Sequence, residues 1–447
     1  MKKYILLKSV NAVLPDEEKP VKTNILINKS NGLIEDISIN VTGKISANDL
    51  EIFEGHHDLL VMPGFIDPHV HFRIPGKPEA EDWFTGSLAA LSGGITTVLD
   101  MPNNSPAITS EAPLNMKLDH ICQNSLINYG IFGGLTTSNL DFLLKNPDIK
   151  AIKVYMASTT GDLLMNNIEK LNFTDKSKIF CFHAEDDLII KNNEAATGKI
   201  TDPWQHSKIR SEEAALKATR EVIEMYKKTG GNFHIAHVST YAEIKELEHS
   251  GVSFECAPHH MFCNTENYKQ GGFLWKCNPP LREQKTQKLI MESLYNKKIK
   301  MIATDHAPHL LSDKQFIEND PIKSPASGIP SLEVGSHLIL NEMANGKISA
   351  RYASQILSTN AAMRFNIKNR GEIKKGYFAD LAIVNQNQTW AFQPQDVLSK
   401  CGWTPFVNFS FSAKVVAAFV NGHMFTVKEL KENASNLKNK SHQIYKV

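Results

Sequence analysis

Apolar and polar positions change their period twice along this chain. Up to about residue 62, short runs at 4–7, 23–27 and 34–39 are separated by Pro, Asn, Gly and Asp, the pattern of strands joined by tight turns. From Pro63 to about Asn360, apolar runs alternate with segments of helical period, which predicts parallel strands with crossover helices. Eight runs qualify as strands, at 64–71, 96–101, 129–133, 151–156, 179–184, 233–238, 253–257 and 301–305. One intervening helix starts at Glu212, with Ser211 as N-cap and Gly230 and Gly231 past its end. Eight strands with such helices predict an α/β fold, a (β/α)8 or TIM barrel. Beyond Asn360, β-like runs return at 380–384 and 415–420, with a turn at Asn421-Gly422. The expected division is a small β-sandwich domain built from 1–62 and 363–430, a barrel over 63–362, and a polar tail over 431–447 that frays.

Composition narrows the class of partner. With 49 Lys and Arg against 48 Asp and Glu, the 447-residue chain carries a net charge of +1, so no global field points to nucleic acid or an anionic membrane. A small molecule is the expected partner. Lys8 and Asn11 interrupt the apolar run after Met1-Lys2-Lys3, which reads as a first strand rather than a signal peptide. No window approaches the roughly 18 apolar residues of a membrane span, and a cytoplasmic location is expected. The six cysteines are scattered without CxxC spacing, as reduced, mostly buried thiols would be.

Candidate chemistry concentrates at the ends of the predicted strands, where a barrel of this kind carries its catalytic groups. Asp67-Pro-His69-Val-His71-Phe-Arg73 puts two imidazoles on one face of the first strand, because residues two apart point the same way. Lys153 lies in the fourth, His183 ends the fifth, His237 the sixth and Asp305 the eighth. A lone His-x-His is more often an incidental pair, but six such residues at corresponding ends form a pattern. Four imidazoles and a carboxylate suit zinc or a similar divalent ion, and suffice for two ions if something bridges them. Lys153 is the odd member, since an ammonium in a barrel would repel cations; as a neutral amine it can add carbon dioxide, and the carbamate is a bridging oxygen ligand. His56, His57, His259 and His260 are given structural roles.

These residues carry a resemblance. The stretches Gly64-Phe-Ile-Asp67-Pro-His69-Val-His71-Phe-Arg73, Gly93-Gly-Ile-Thr-Thr-Val-Leu-Asp100-Met-Pro-Asn103-Asn104, Lys153-Val-Tyr-Met, Phe182-His183-Ala-Glu185, His237-Val-Ser239, Cys277-Asn278-Pro-Pro-Leu-Arg282 and Ala303-Thr-Asp305-His-Ala-Pro-His309 resemble the dihydroorotases of the amidohydrolase superfamily. The resemblance implies that His69, His71 and Asp305 bind one Zn2+, that His183 and His237 bind a second, and that carboxylated Lys153 bridges them. It implies a bridging hydroxide as nucleophile and Asp305 as catalytic acid and base, in the reversible cyclisation of N-carbamoyl-L-aspartate to L-dihydroorotate in de novo pyrimidine (UMP) biosynthesis. Arg73, Asn103 and His309 are the expected clamp for the substrate carboxylate. Asn278, Ser327 and Gly328 are expected along the pyrimidine edge, and segment 310–327 as a lid.

Other cyclic amidases, such as dihydropyrimidinase (hydantoinase) or allantoinase, would share the metal groups, but their rings lack the carboxylate that Arg73 would meet. A catalytically inactive homologue serving as a scaffold is the reading from a different class. A homodimer, common in such families, is the assembly to test.

Overall fold

The computed structural model describes residues 2–41, 45–158, 163–165, 168, 173–317, 324–437 and 444–447. Two sheets organise the chain. The first takes β1 (Tyr4–Ala12), β2 (Val21–Asn28), β3 (Leu33–Ile37), β4 (Leu50–Glu54) and β5 (Leu59–Pro63) from the N-terminal side. The chain then passes directly from β5 into the barrel strands β6 (Phe65–Val70), β7 (Ile95–Asp100), β8 (Asn128–Gly134), β9 (Ile149–Tyr155), β10 (Ile179–His183), β11 (Phe233–Ile235) and β12 (Ser253–Phe254). It returns through β13 (Leu381–Asn385), β14 (Trp390–Ala391), β15 (Ser410–Phe411), β16 (Lys414–Val420) and β17 (His423–Thr426).

Strands β6 to β12 form a parallel seven-stranded sheet in sequence order, the curled sheet of a TIM barrel. The predicted eighth strand is present as an irregular segment: parallel bridges join Cys256 to Ile302 and Val70 to His306, closing the barrel without a regular ladder. The reason is local. Thr304 sends its backbone N–H and its hydroxyl to the Asp67 carboxylate on β6, so a side chain replaces ladder bonds. Asp305 then turns to a φ of 50°, off the extended conformation.

The helix expected after Ser211 runs Glu212–Thr229; Ser211 accepts the Ala214 N–H, and Gly230 ends it at φ 63°, the left-handed cap that favours glycine. Its buried face is Ala214, Ala215, Ala218, Thr219, Val222 and Ile223, of which Ala218, Val222 and Ile223 pack into the large cluster that also takes Phe180, Phe182 and Phe233 from the barrel wall.

The second unit is one eight-stranded sheet of order β17-β16-β13-β5-β1-β2-β3, with β4 beside β1, plus the separate β14–β15 pair. Alternation on β1 feeds both faces: Ile5, Leu7 and Val10 join one apolar cluster and Leu6 the other. Asn421 and Gly422, at φ 48° and 79°, make the turn from β16 to β17. Between β13 and β16 the chain leaves this sheet, and Trp390, Phe392, Phe406 and Phe411 pack with Trp275 and Ile329 beside the barrel mouth.

The chain's last residues are held rather than loose: the Val447 N–H donates to the Tyr129 carbonyl, and the Tyr445 N–H to Asn128 Oδ1. Residues 438–443 of the expected tail lie outside the described residues. Among the described residues no helix is long and apolar enough to cross a membrane.

Candidate active site

Eleven of the twelve residues singled out in the sequence line one cavity at the barrel mouth: His69, His71, Arg73, Asn103, Lys153, His183, His237, Asn278, Asp305, Ser327 and Gly328. The twelfth, His309, lies against it, with Nε2 3.2 Å from Arg73 Nη2. Positive φ angles at His237 (37°) and Asp305 (50°) mark backbone strain at two of these strand ends.

The outer nitrogens of the histidines define the site's chemistry. His69 Nδ1 is 2.6 Å from Glu255 Oε1, His71 Nδ1 is 2.6 Å from Asn103 Oδ1, and His183 Nε2 is 2.7 Å from Glu185 Oε2. Each partner is an oxygen that accepts, so each of these nitrogens carries the hydrogen and leaves its opposite nitrogen as a bare lone pair. Those inner nitrogens face other electron-rich atoms. His71 Nε2 and His69 Nε2 are 3.1 Å and 3.3 Å from Asp305 Oδ1, and His183 Nδ1 is 3.0 Å from His237 Nε2. Lone pairs at these separations need a cation or a proton between them. His69, His71 and Asp305 also bring one ligand atom each within 4.8 Å of one another.

Protons are poorly tolerated here. Burial pushes His69 and His237 well below the ordinary imidazole value, and Lys153 (at both) and His183 (at His237) push the same way. Lys153 Nζ is buried with no hydrogen-bond partner, an expensive state for an amine that has nothing further attached. The donor set therefore offers ligand atoms for a divalent cation at His69, His71 and Asp305, with His183 and His237 facing each other nearby and the Lys153 amine orphaned.

The other wall is built for an anion. Arg73 is 7% exposed; its Nε donates to the Pro308 carbonyl at 2.8 Å, its Nη2 faces His309, and burial lowers its pKa to about 10. Among the described residues no carboxylate is paired with it, so a buried guanidinium points into the cavity without an ion partner. Asn103 sits in this wall with its amide oxygen committed to His71, which gives it a role in orienting that imidazole. Gly328 is required by packing: a Cβ there would lie 2.4 Å from the Ala307 carbonyl oxygen.

Several residues here were not singled out in the sequence. Tyr155 lines the cavity with its buried hydroxyl unpartnered; it lies two residues after Lys153 on β9, and period two could have found it. Glu185, held by Arg210 as well as His183, follows its histidine by two. Glu255 had no local signal, because its partner His69 is 186 residues away. Trp403, from the segment between β14 and β15, donates Nε1–H to the His309 carbonyl at 2.8 Å. His259 and His260 are buried beside Cys277, whereas His56 and His57 are exposed at Asp58.

Of the expected lid, residues 318–323 lie outside the described residues. Its described flanks are tied down: buried Lys314 donates to the carbonyls of Lys276, Ala326 and Gly328 at 2.8–2.9 Å.

A barrel whose mouth gathers histidines, an aspartate and a buried lysine is the architecture of a hydrolase with candidate metal-binding groups. The chain belongs to the amidohydrolase family, whose model matches residues 60–425. It is 31% identical over 415 residues to the dihydroorotase of Methanosphaera stadtmanae, covering 90% of this chain and 93% of that one. With the dihydroorotase of Pyrococcus abyssi it shares 33% over 408 residues, 88% and 92% of the two chains. Among solved structures, L-hydantoinase (dihydropyrimidinase) from Arthrobacter aurescens superposes with a TM-score of 0.86 at 21% identity, covering 94% of this chain and 96% of that one. Dihydropyrimidinase from Brevibacillus agri gives 0.82 at 22%, over 95% of each chain. At these identities the solved structures speak for the fold alone.

Proposed function

We propose that this chain is a dihydroorotase, interconverting N-carbamoyl-L-aspartate and L-dihydroorotate as a step of de novo pyrimidine synthesis. The observation that carries the choice is Arg73, a buried cation without an ion partner on the cavity wall. A substrate carboxylate would supply that partner with charge-assisted, forked hydrogen bonds. Dihydrouracil, hydantoin and allantoin would leave the guanidinium unpaired, which costs several kcal/mol by the usual rule for buried charges. The relatives named dihydroorotase support the same reading over the hydantoinases, which share the fold.

Two zinc-class cations, held by His69, His71 and Asp305 on one side and His183 and His237 on the other with carboxylated Lys153 between, would lower the pKa of the attacking water and polarise the scissile carbonyl. The chain's own residues do the rest. Arg73 and His309 hold the carboxylate and so fix which ring carbon meets the nucleophile. Asn278, with Ser327 and Gly328, lies along the opposite edge of the ring. Asp305, anchored between His69 and His71, takes up the proton released as the ring opens and delivers it to the departing nitrogen, and the reverse transfer closes the ring. Tyr155 offers a buried hydroxyl to an oxygen of the substrate.

The test is ring opening of dihydroorotate by zinc-loaded, bicarbonate-treated protein, beside dihydrouracil, hydantoin and allantoin at equal concentration. A strong preference for dihydroorotate is expected. Preference for an uncharged ring would overturn the substrate, and no turnover of any ring would favour an inactive scaffold.

A further inference from the structure

His206 lies on the short helix Pro203–Ile209, which is fixed at its start by Asp202 and Gln205 in a reciprocal cap. The ring is buried, and its Nε2 faces two oxygens at once: the Cys277 backbone carbonyl at 3.1 Å and Asn278 Oδ1 at 2.8 Å. A backbone carbonyl can only accept, so Nε2 carries a hydrogen, in the neutral ring and the charged one alike. An amide nitrogen, itself a donor, cannot occupy the second position opposite that hydrogen. Asn278 must therefore turn its oxygen to His206, which leaves its NH2 for the cavity that Asn278 lines.

The backbone is already pinned on both sides, since the Gly328 N–H and Lys314 Nζ donate to the Lys276 carbonyl before it and the Pro279 carbonyl after it faces His260 Nε2 at 3.0 Å. The amide rotation of Asn278 is the remaining coordinate, and His206 sets it. We propose that His206 is a positioning residue for substrate selection: by holding Oδ1 it commits Asn278 to donate, so this wall accepts a ring carbonyl oxygen and disfavours a ring group that itself donates. The inference rests on the cyclic-amide reading above and specifies the polarity of one of its contacts.

The experiment is a double-mutant cycle of H206L and N278A, with H206Q as the conservative variant, because the Gln amide nitrogen reaches as far as His Nε2. We expect H206L to raise KM about tenfold with kcat within about threefold, H206Q to stay near wild type, and H206L to add less than about twofold to KM in the N278A background. Melting temperature and metal content check that each variant is folded and loaded. If H206L does not fold, H206N, whose amide is too short to reach Asn278, replaces it. An equal rise in KM in both backgrounds, or no rise at all, overturns the proposal, as does a folded and loaded H206Q that behaves like H206L. The cycle is read on whichever cyclic amide the wild type opens. Preference for an uncharged ring would thus overturn the substrate while leaving this inference to be judged by coupling, whereas a wild type that opens no ring sinks both.

Discussion

At the residue scale, the site works by assigning each imidazole nitrogen one task. Glu255, Asn103 and Glu185 take the outer N–H groups, so the inner lone pairs have no option but to face inward. Replacing Glu255 by Leu frees the tautomer of His69 and leaves its N–H without an acceptor. Metal affinity should fall about 10- to 100-fold, read as metal retained per chain after dialysis against a graded chelator. Retention equal to wild type would remove Glu255 from this role. Arg73 makes a separate prediction, because its partner is the substrate. R73Q should lower kcat/KM for dihydroorotate by about 100-fold or more, the scale of a lost buried charge pair, while the slow opening of dihydrouracil, if measurable, is unchanged or improved. An equal loss on both rings would mean that Arg73 only supports the wall.

At the element scale, the segment after β12 shows how a strand is given up to build a site. Asp67 draws Thr304 out of the ladder, Asp305 takes a left-handed backbone, and the barrel closes by single bridges. The returning strand end at Gly328 is packed so closely on Ala307 that no side chain fits. G328A must push the two segments apart, and a destabilisation of about 1–3 kcal/mol is expected, with a rise in KM because Gly328 lines the cavity. Thermal melting and steady-state kinetics on the same sample read the two effects. A neutral result in both would show that the segment can shift at no cost.

At the scale of the whole molecule, stability is linked to protons and to metal through groups far apart in the chain. His337, buried between the barrel helix Leu332–Ala344 and β16, donates Nδ1–H to the Glu333 carbonyl and accepts the Val415 N–H at Nε2, and burial lowers its pKa to about 4. The folded value lies below the ordinary 6.5, so the unfolded chain binds the proton first as pH falls. The contribution of His337 is then fully present above pH 6.5 and lost progressively down to about 4, to a total of about 3 kcal/mol. H337Q should flatten the pH dependence of unfolding free energy over that window; an unchanged slope would assign the acid sensitivity elsewhere. Metal acts in the other direction. Stripping it should lower the melting temperature, and zinc with bicarbonate should restore it, with about 2.7 kcal/mol gained at a hundredfold excess over Kd. Identical melting curves for stripped and loaded protein would mean that the histidine cluster holds no ion.

The sequence by itself determined the succession of strands and helices, because burial on a strand or helix face imposes a period that can be read residue by residue. It also located the strand-end residues His69, His71, Lys153, His183, His237 and Asp305, since a barrel sends its strand ends to one mouth. Only the tertiary structure decided what those residues do to one another. Glu255 meets His69, and Asp67 meets Thr304, across 186 and 237 residues of chain. The direction of a hydrogen bond, such as the one that turns the Asn278 amide, exists only once both partners are in place. A periodic pattern records which way a side chain faces along its own element, and carries no information about the atom it will meet there.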